Sequence, residues 1–458
     1  MRYVSTRGGA PDLGFADTLL AGLAVDGGLY VPELWPELPA VRRGMTYADA
    51  AATVMAPFVD DEIDDAALAA MCADAYASFR HPAVCPLAQI GPDDWLLELF
   101  HGPTLAFKDV ALQLVGRLFD RVLGDRGEHV TIVGATSGDT GSAAIDAVAG
   151  RAHVDIVILY PEGRVSDVQR RQMTTVDAPN VRTVAIEGTF DDCQDLVKAM
   201  FADEAFRTDQ RLAAVNSINW ARVMAQVVYY VTATLHLGGR VAFAVPTGNF
   251  GNVLSGWVAR RMGAPVERLV IGSNRNDILA RFLHSGIMAT STVVPTVSPS
   301  MDIQVSSNFE RLLFELNHRD GGMTAEQLYH FRATGSLVVE PDQLEAVTAT
   351  FDAARVDDEA TLAIIADTYR RTGNLVDPHT AVGLGAAAIC RPPEGVPMVT
   401  LATAHPAKFP DAVESATGVR PELPERLADL DQRPERFDVL PNDLATVRAA
   451  IDAALDAA

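Results

Sequence analysis

One lysine is singled out in this sequence by its rarity and by its neighbours. The chain has 37 lysines and arginines, and lysine occupies only positions 108, 198 and 408. Lys108 lies in HGPTLAFKDVALQLVGRLF, at the start of a predicted helix. An arginine stays protonated, whereas a lysine amine can lose its proton and become a nucleophile. Lys108 therefore suits condensation with an aldehyde, although an ion pair with a nearby acid is the plainer explanation.

Two glycine-rich turns each follow an apolar run and precede a helical pattern. They are GATSGDTGSAAI at 134–145 and VPTGNFGNVLSG at 245–256. Glycines in such turns let backbone N–H groups approach a ligand, and the helix N-terminus that follows suits a carboxylate or a phosphate. The glycines at 134, 138 and 141 do not have the dinucleotide spacing, and the second turn lacks G-K-[ST]. Taken alone, each turn is equally well explained as a capped turn between a strand and a helix.

A third segment, LATAHPAKFP at 401–410, follows the last predicted strand. It places Thr403 and His405 at a strand end, where ligands of parallel sheets bind. It also contains Lys408, another of the rare lysines. The plainer explanation is that Pro406 and Pro410 interrupt the chain before a surface helix.

The elements that must position these residues alternate between strand and helix. Strands are predicted at 95–100, 129–135, 155–160, 181–187, 241–246, 268–273 and 397–402, with amphipathic segments between them. This alternation predicts parallel sheets with helices on both faces. Residues 1 to about 90 are predicted to be mostly helical, and residues 342–373 to be helical throughout. The fold class is therefore α/β.

Composition narrows the class of protein. A length of 458 residues predicts two or three domains. The net charge of −23 argues against nucleic acid as a partner. No apolar run approaches the ~20 residues of a membrane span, and the start, MRYVSTRGGA, lacks the apolar core of a signal peptide, so a cytoplasmic location is expected. The four cysteines and ten histidines have no metal-binding spacing, so no metal is expected.

Together these segments resemble the longer threonine synthases of bacteria and fungi. The resemblance runs in order from residue 3 to about 415 through GLAVDGGLYVP, HGPTLAFKDVALQ, GATSGDTGSAAI, YPEGRVSDVQRRQM, INWARVMAQVVYY, VPTGNFGN, SMDIQVSSNFERLLFEL, DPHTAVG and TAHPAKFP. It implies a pyridoxal-phosphate enzyme with the fold of the tryptophan synthase β subunit: two parallel-sheet domains of three layers and a helical N-terminal segment. The implied reaction converts O-phosphohomoserine and water to threonine and phosphate.

The resemblance also implies domain bounds. An N-terminal domain is expected at 1–93 and a catalytic region of two α/β domains at 94–405, the smaller of them at roughly 125–237. A helical tail is expected at 406–458.

Roles toward the cofactor follow from the same resemblance. Lys108 is implied to hold pyridoxal phosphate as a Schiff base and then to shuttle protons. Thr403 is implied to place a hydroxyl beside the pyridine nitrogen. The loop implied to cradle the cofactor phosphate through backbone N–H groups consists of Gly248, Asn249, Phe250, Gly251 and Asn252.

Substrate contacts are implied in two places. The substrate carboxylate and the ring oxygen of the cofactor are expected at Thr136, Ser137, Gly138, Asp139 and Thr140. Many relatives of the wider fold have asparagine in place of Asp139, and a carboxylate repels a phenolate unless one is protonated, so helix capping is an alternative role for Asp139. Arg164 and Lys408 are candidates for binding the substrate phosphate, and either could instead be a surface charge.

Other functions remain open at this point. The nearest alternative is a threonine synthase-like phospho-lyase that releases a keto acid from O-phosphohomoserine. A non-catalytic ligand-binding paralogue is disfavoured because both Lys108 and the GNFGN loop are present, and a nicotinamide oxidoreductase is disfavoured by the glycine spacing. The expected partner is a small-molecule substrate, with neither nucleic acid nor membrane, for a monomer or homodimer.

Overall fold

The structure is a computed structural model that describes residues 1–214 and 216–455. The strands in this part of the chain are β1 (Tyr3–Ser5), β2 (Tyr30–Pro32), β3 (Leu87–Gln89), β4 (Asp94–Glu98), β5 (Val130–Ala135), β6 (Val154–Pro161), β7 (Val181–Glu187), β8 (Leu212–Ala213), β9 (Val241–Pro246), β10 (Val266–Ser273), β11 (Ile287–Ala289), β12 (Ser336–Val338), β13 (Phe351–Arg355), β14 (Met398–Ala402) and β15 (Asp438–Pro441).

The α-helices in the same part are α1 (Phe15–Ala21), α2 (Tyr47–Val59), α3 (Asp65–Ala77), α4 (Lys108–Arg126), α5 (Asp139–Val148), α6 (Asp167–Thr174), α7 (Phe190–Ala202), α8 (Glu204–Asp209), α9 (Trp220–Leu237), α10 (Gly251–Met262), α11 (Ile278–Ser285), α12 (Phe309–Leu316), α13 (Gly321–Thr334), α14 (Pro341–Thr348), α15 (Asp358–Thr372), α16 (Pro378–Ile389), α17 (Pro410–Thr417) and α18 (Leu444–Leu455). Short 3-10 helices lie at Asp60–Glu62, Pro299–Met301, Pro406–Lys408 and Glu425–Leu427. None of the described helices is long and apolar enough to cross a membrane.

The first compact unit comprises residues 1–19, 23–101 and 217–421. Its main sheet has the order β13-β10-β9-β14-β4-β3 and is parallel except for β3, which pairs antiparallel with β4 at one edge. Strands β9 (VAFAVP) and β14 (MVTLA) are buried at every position, as expected of parallel strands covered on both faces. Helix α16 packs on β9, β10 and β14, and α10 packs on β10 and against α9.

The second compact unit comprises residues 20–22, 102–216 and the chain from 422 onward. Its sheet has the order β15-β7-β6-β5-β8 and is parallel throughout. Helix α5 packs against α4, while α7 lies on β5 and β6 and also contacts α18. A cluster of aliphatic side chains from β5, β6, β7, α7 and α18 forms the core on that face.

Three expectations differ from this architecture. Residues 342–373 are not helical throughout, because β13 interrupts them between α14 and α15 and pairs with β10 at the sheet edge. The tail likewise contains a strand, β15, in addition to helices. The smaller domain was expected at roughly 125–237, whereas the second unit comprises residues 20–22, 102–216 and the chain from 422 onward.

Candidate active site

In the first unit, β9 leads through a tight loop into the N-terminus of α10. Phe250 ends this loop in the left-handed region, with φ of 65°, which is unusual for a bulky residue. Its ring is buried and packs against Phe309 and Phe351. No side chain caps the helix, so the N–H groups of its first turn have no intrahelical acceptor. Such a terminus suits an anion.

A segment about sixty residues further along the chain holds this loop. Ser306 Oγ donates to the carbonyl of Gly248 at 2.6 Å. Asn308 donates to the carbonyl of Asn249 from its backbone nitrogen at 3.1 Å and from Nδ2 at 2.9 Å. A Cβ on Gly248 would lie 2.7 Å from the carbonyl oxygen of Ser300. Glycine is therefore required at 248 by close approach of two backbones.

The side chain of Asn252, in the first turn of α10, has hydrogen-bond partners at its amide oxygen but none among the described residues at its amide nitrogen. Its Oδ1 lies 2.5 Å from the hydroxyl of Tyr229 and 2.9 Å from that of Tyr230. Its Nδ2 is buried and has no hydrogen-bond partner within the described residues. A buried donor without an acceptor is costly. The loop and this donor together fit the oxygens of a phosphate.

The end of β14 carries the other expected residues of the first unit. Thr403 directly follows the strand and is 5% exposed. His405 Nδ1 accepts a hydrogen bond from the backbone of Ala407, and Lys408 is completely buried. Lys408 therefore does not have the exposure of a surface charge.

A buried dyad connects this region to the segment around Ser300. Asp377, at the start of α16, accepts a hydrogen bond from His379 Nδ1 at 2.7 Å. The opposite ring nitrogen, Nε2, then accepts the backbone N–H of Ser300 at 3.2 Å. The ring of Phe409 packs edge-on against His379. The dyad thus fixes the backbone that approaches Gly248.

In the second unit, a short turn places Lys108 at the start of α4. Asp109, fully buried, accepts the backbone N–H of Thr104 at 2.8 Å and its hydroxyl at 2.6 Å. Leu105 adopts a left-handed φ of 65°. Lys108 is 9% exposed, and its Nζ lies 3.3 Å from Asp139 Oδ2. The turn therefore directs a buried amine at a buried carboxylate.

Asp139 is itself fixed from a second side. It is the first residue of α5, and its Oδ1 accepts a hydrogen bond from Gln169 Nε2 at 2.9 Å. Gly138 precedes it with φ of 133°, a conformation that favours glycine, and a Cβ there would lie 2.4 Å from Gln169. The carboxylate is thus held by a lysine and by an amide.

The remaining expected substrate residues have different surroundings. The hydroxyl of Thr136 accepts the N–H groups of Gly138 at 3.0 Å and Gly141 at 2.9 Å, so it stabilises the turn. Ser137 is exposed, and Thr140 is partly buried. Arg164 is exposed after β6. Hydrogen bonds from Thr189 are the main cause that lowers the pKa of Asp192, and the charge of Arg164 adds to the same effect.

Comparison with known proteins identifies the family. Three family models match: threonine synthase N terminus at residues 2–76, pyridoxal-phosphate dependent enzyme at 86–403, and threonine synthase C-terminal at 380–451. A threonine synthase of Pseudomonas aeruginosa is 56% identical over 98% of each chain. This chain belongs to the threonine synthase family.

Solved structures of the family agree with the fold. A threonine synthase from Brucella melitensis, described as PLP bound, superposes with a TM-score of 0.97 at 52% identity over 99% of each chain. The Escherichia coli enzyme gives a TM-score of 0.81 at 32% identity, covering 99% of this chain and 100% of its own. Human threonine synthase-like 2 is more distant, with 36% identity over 96% of this chain and 94% of its own. The resemblance and the fold class inferred from the sequence are confirmed.

Several side chains that organise the candidate site of this threonine synthase family member had no assigned role in the sequence. All of them lie in segments that carried the resemblance: Asp109, Gln169, Ser306, Asn308 and the Asp377–His379 dyad. Each hydrogen-bonds a residue that is distant in sequence or lies within a tight turn. Their only sequence signal was their position within these segments.

Proposed function

We propose that this chain is a pyridoxal-phosphate-dependent threonine synthase that converts O-phospho-L-homoserine and water to L-threonine and phosphate. The observation that carries the proposal is the buried Lys108, which a short turn directs at Asp139. An amine held in this way suits an aldehyde cofactor. Membership of the threonine synthase family, at 56% identity to the Pseudomonas aeruginosa protein, selects the reaction.

The residues of the first unit fit the phosphate and the ring of this cofactor. The uncapped first turn of α10 and the loop before it would bind the phosphate through backbone N–H groups, and the unsatisfied Nδ2 of Asn252 adds a donor. Thr403 would direct its hydroxyl at the pyridine nitrogen. When bound, the cofactor supplies an electron sink that acidifies hydrogens of the substrate.

Lys108 would bind the cofactor covalently and afterwards carry protons at the α, β and γ carbons of the substrate. Asp139 would orient the Nζ of Lys108 and balance its charge, and Gln169 would fix the carboxylate from the other side. This role is compatible with Asp139 as the first residue of α5. A carboxylate of Asp139 that is paired with Lys108 would not have to lie unpaired beside the ring oxygen of the cofactor, where the two negative charges would repel each other.

Substrate recognition is proposed at the turn before α5 and at Lys408. Ser137, Gly138 and Thr140 would bind the carboxylate, while Thr136 stabilises the turn. For the substrate phosphate, the buried Lys408 is favoured over the exposed Arg164. We further propose that the enzyme acts in the cytoplasm, as a monomer or homodimer, without nucleic acid or a membrane as partner.

The test is a product assay with purified protein, pyridoxal phosphate and O-phosphohomoserine. Formation of threonine and phosphate in equal amounts supports the proposal. Phosphate released together with a keto acid and ammonia, without threonine, would instead identify a phospho-lyase. A Lys108→Ala protein serves as the control for non-enzymatic release.

A further inference from the structure

Helix α6 contacts the surroundings of Lys108 through two glutamines on one of its faces. Gln169 and Gln172 have the i, i+3 spacing of neighbours on a helix, and both are buried. Gln169 Nε2 donates to Asp139 Oδ1 at 2.9 Å, and the other carboxylate oxygen of Asp139 lies 3.3 Å from Lys108 Nζ. Gln172 Nε2 donates to the carbonyl of Thr104 at 3.1 Å, in the turn that leads to Lys108. The placement of α6 therefore helps to fix both the carboxylate and the turn that hold the amine.

The clamp segment, residues 426–435, holds α6 from another face. Glu435 accepts two hydrogen bonds from the guanidinium of Arg170, at 2.9 Å from Nε and 3.0 Å from Nη2. It also accepts the hydroxyl of Thr174 at 2.8 Å, and the guanidinium of Arg171 lies 3.5 Å away. Arg170 and Thr174 have the i, i+4 spacing of a helical face that excludes the two glutamines. Because the side chain of Glu435 is only 18% exposed, its charge-assisted bonds are worth more than those of a surface ion pair.

The clamp segment also surrounds the turn before Lys108 directly. Leu105, whose left-handed φ of 65° is unfavourable for leucine, is 1% exposed and packs in a cluster with Leu427 and Leu430. Arg426 donates to the backbone carbonyl of Gly102, near the start of the same turn. A strained backbone conformation persists only where its surroundings over-determine it. The clamp segment therefore supports the turn both by direct contact and through α6.

We infer that Glu435 is a positioning residue for the amine of Lys108 and acts through α6. The inference rests on the proposed function, in which Lys108 binds the cofactor and carries protons at three carbons of the substrate. An amine with several proton transfers must keep its orientation, and a displacement of about 1 Å costs about 100-fold in rate. Asp139 and Gln169 set that orientation only while α6 stays in place, and Glu435 holds α6 on the face that turns away from them.

Replacing Glu435 with glutamine should loosen this arrangement without removing any group that contacts Lys108. The amide carries no charge, has one acceptor oxygen instead of two, and faces Arg170 with a donor. Helix α6 is then free to shift, and Asp139 is released from Lys108. A neighbouring carboxylate favours the protonated form of an amine, which is not nucleophilic. Lys108 of the cofactor-free Glu435→Gln protein should therefore react faster with an amine reagent than Lys108 of the wild type.

The reactivity of Lys108 is measured by reductive methylation with formaldehyde, followed by mass spectrometry of the peptides. Lysine occurs elsewhere only at positions 198 and 408, and the exposed Lys198 serves as the reference within the same sample. The ratio of the methylation rates of Lys108 and Lys198 should rise about 10-fold in Glu435→Gln, the factor that corresponds to one lost charge-assisted hydrogen bond. In the cofactor-loaded enzyme, kcat should fall about 10- to 100-fold with KM nearly unchanged, because the substrate-binding groups remain.

Glu310→Gln is the matched control, because Glu310 has the same kinds of partner within the first unit. It accepts two hydrogen bonds from the guanidinium of Arg7, at 3.0 and 2.9 Å, and one from the hydroxyl of Thr6 at 2.7 Å. Its side chain is 8% exposed, so its replacement should lower the melting temperature at least as much as Glu435→Gln does. The methylation ratio of Lys108 should nevertheless stay at the wild-type value. Glu435→Asp, which keeps the charge, should recover part of the wild-type ratio and kcat.

A second background tests the route through α6. In a Gln169→Met/Gln172→Met protein, the hydrogen bonds from α6 to Asp139 and Thr104 are already lost. Adding Glu435→Gln to this protein should change the methylation ratio little further, because the three residues act as one unit. A full additional rise would overturn the inference, since Glu435 would then act by another route.

The inference is also overturned if Glu435→Gln leaves both the methylation ratio and kcat unchanged, or if Glu310→Gln raises the ratio equally. Thr174→Val removes one donor from Glu435 and should give a smaller change in the same direction, so the test remains available if Glu435→Gln does not fold. A wild-type protein that forms no threonine would refute the proposed function alone, because methylation of the cofactor-free protein is independent of turnover.

Discussion

Replacing Gly248 with alanine is expected to weaken cofactor binding without unfolding the protein. The position does not have a left-handed φ, so alanine is compatible with the local backbone. The obstacle is steric, because the new Cβ would lie 2.7 Å from the carbonyl oxygen of Ser300, where ordinary contact begins at 3.4 Å. The two backbones must therefore separate by about 0.7 Å.

The loop is expected to move rather than Ser300. The backbone N–H of Ser300 donates to His379. The surrounding segment is fixed by a hydrogen bond of 2.8 Å from Asn274 Nδ2 to Asp302 Oδ1. Overpacking of this kind costs about 1–3 kcal/mol. A displaced loop also weakens hydrogen bonds to a charged phosphate, each worth about 1.5–3 kcal/mol. Loss of one such bond corresponds to a dissociation constant for pyridoxal phosphate about 10- to 100-fold higher.

The assay is titration of the cofactor-free Gly248→Ala protein with pyridoxal phosphate, alongside thermal unfolding. Gly239→Ala is the control, because Gly239 also has no left-handed φ and has no atom within 4 Å of its Cβ position. We expect the control to change stability by less than about 0.5 kcal/mol and cofactor affinity not at all. Native cofactor affinity in Gly248→Ala would refute the assignment of this loop to the phosphate.

Three further predictions concern other positions. Lys108→Ala should abolish threonine formation with the circular dichroism spectrum retained; full activity would contradict its role. Thr403→Asp should protonate the pyridine nitrogen, alter the visible spectrum and slow phosphate release, whereas Thr403→Ser should be silent; a native spectrum and rate in Thr403→Asp would place Thr403 outside the site. Burial raises the pKa of Glu435, but hydrogen bonds from Thr174 and Arg170 lower it overall from 4.5. The stabilisation that ionised Glu435 gives the fold is therefore complete above pH ~4.5 and is lost as the pH falls below that value. The free energy of unfolding of Glu435→Gln, measured by denaturation, should fall less steeply with acid than that of the wild type. An unchanged acid dependence would contradict the stabilising role of Glu435.

The positions of the main strands were predictable because their signal is local. Buried parallel strands such as β9 and β14 are continuous apolar runs, and the predicted segments at 241–246 and 397–402 match them closely. Strand β13 was missed because FDAAR is short and lies between two amphipathic helices. Its conformation follows from pairing with β10, where Leu269 lies opposite Phe351. Such pairing across 82 residues leaves no local trace.

The turns of the candidate site could be predicted from the sequence, but the side chains that hold these turns in place could not. Lys108, Gly138 and Gly248 were recognisable by residue type and by their place after a strand or before a helix. The residues that hold them, such as Gln169 and Asn308, act through contacts that only the folded chain creates. A glutamine or an asparagine has many ordinary roles on a helix, so its type alone does not indicate one.

Two positions that break local rules lie at the start of α10. Phe250 adopts a left-handed φ despite its bulk, and Asn252 buries a donor without an acceptor among the described residues. Each of these lowers stability when taken alone. Local violations persist where surrounding structure over-determines them, and they concentrate at binding sites. Their common location is therefore an argument, independent of sequence similarity, that this helix start binds an anion.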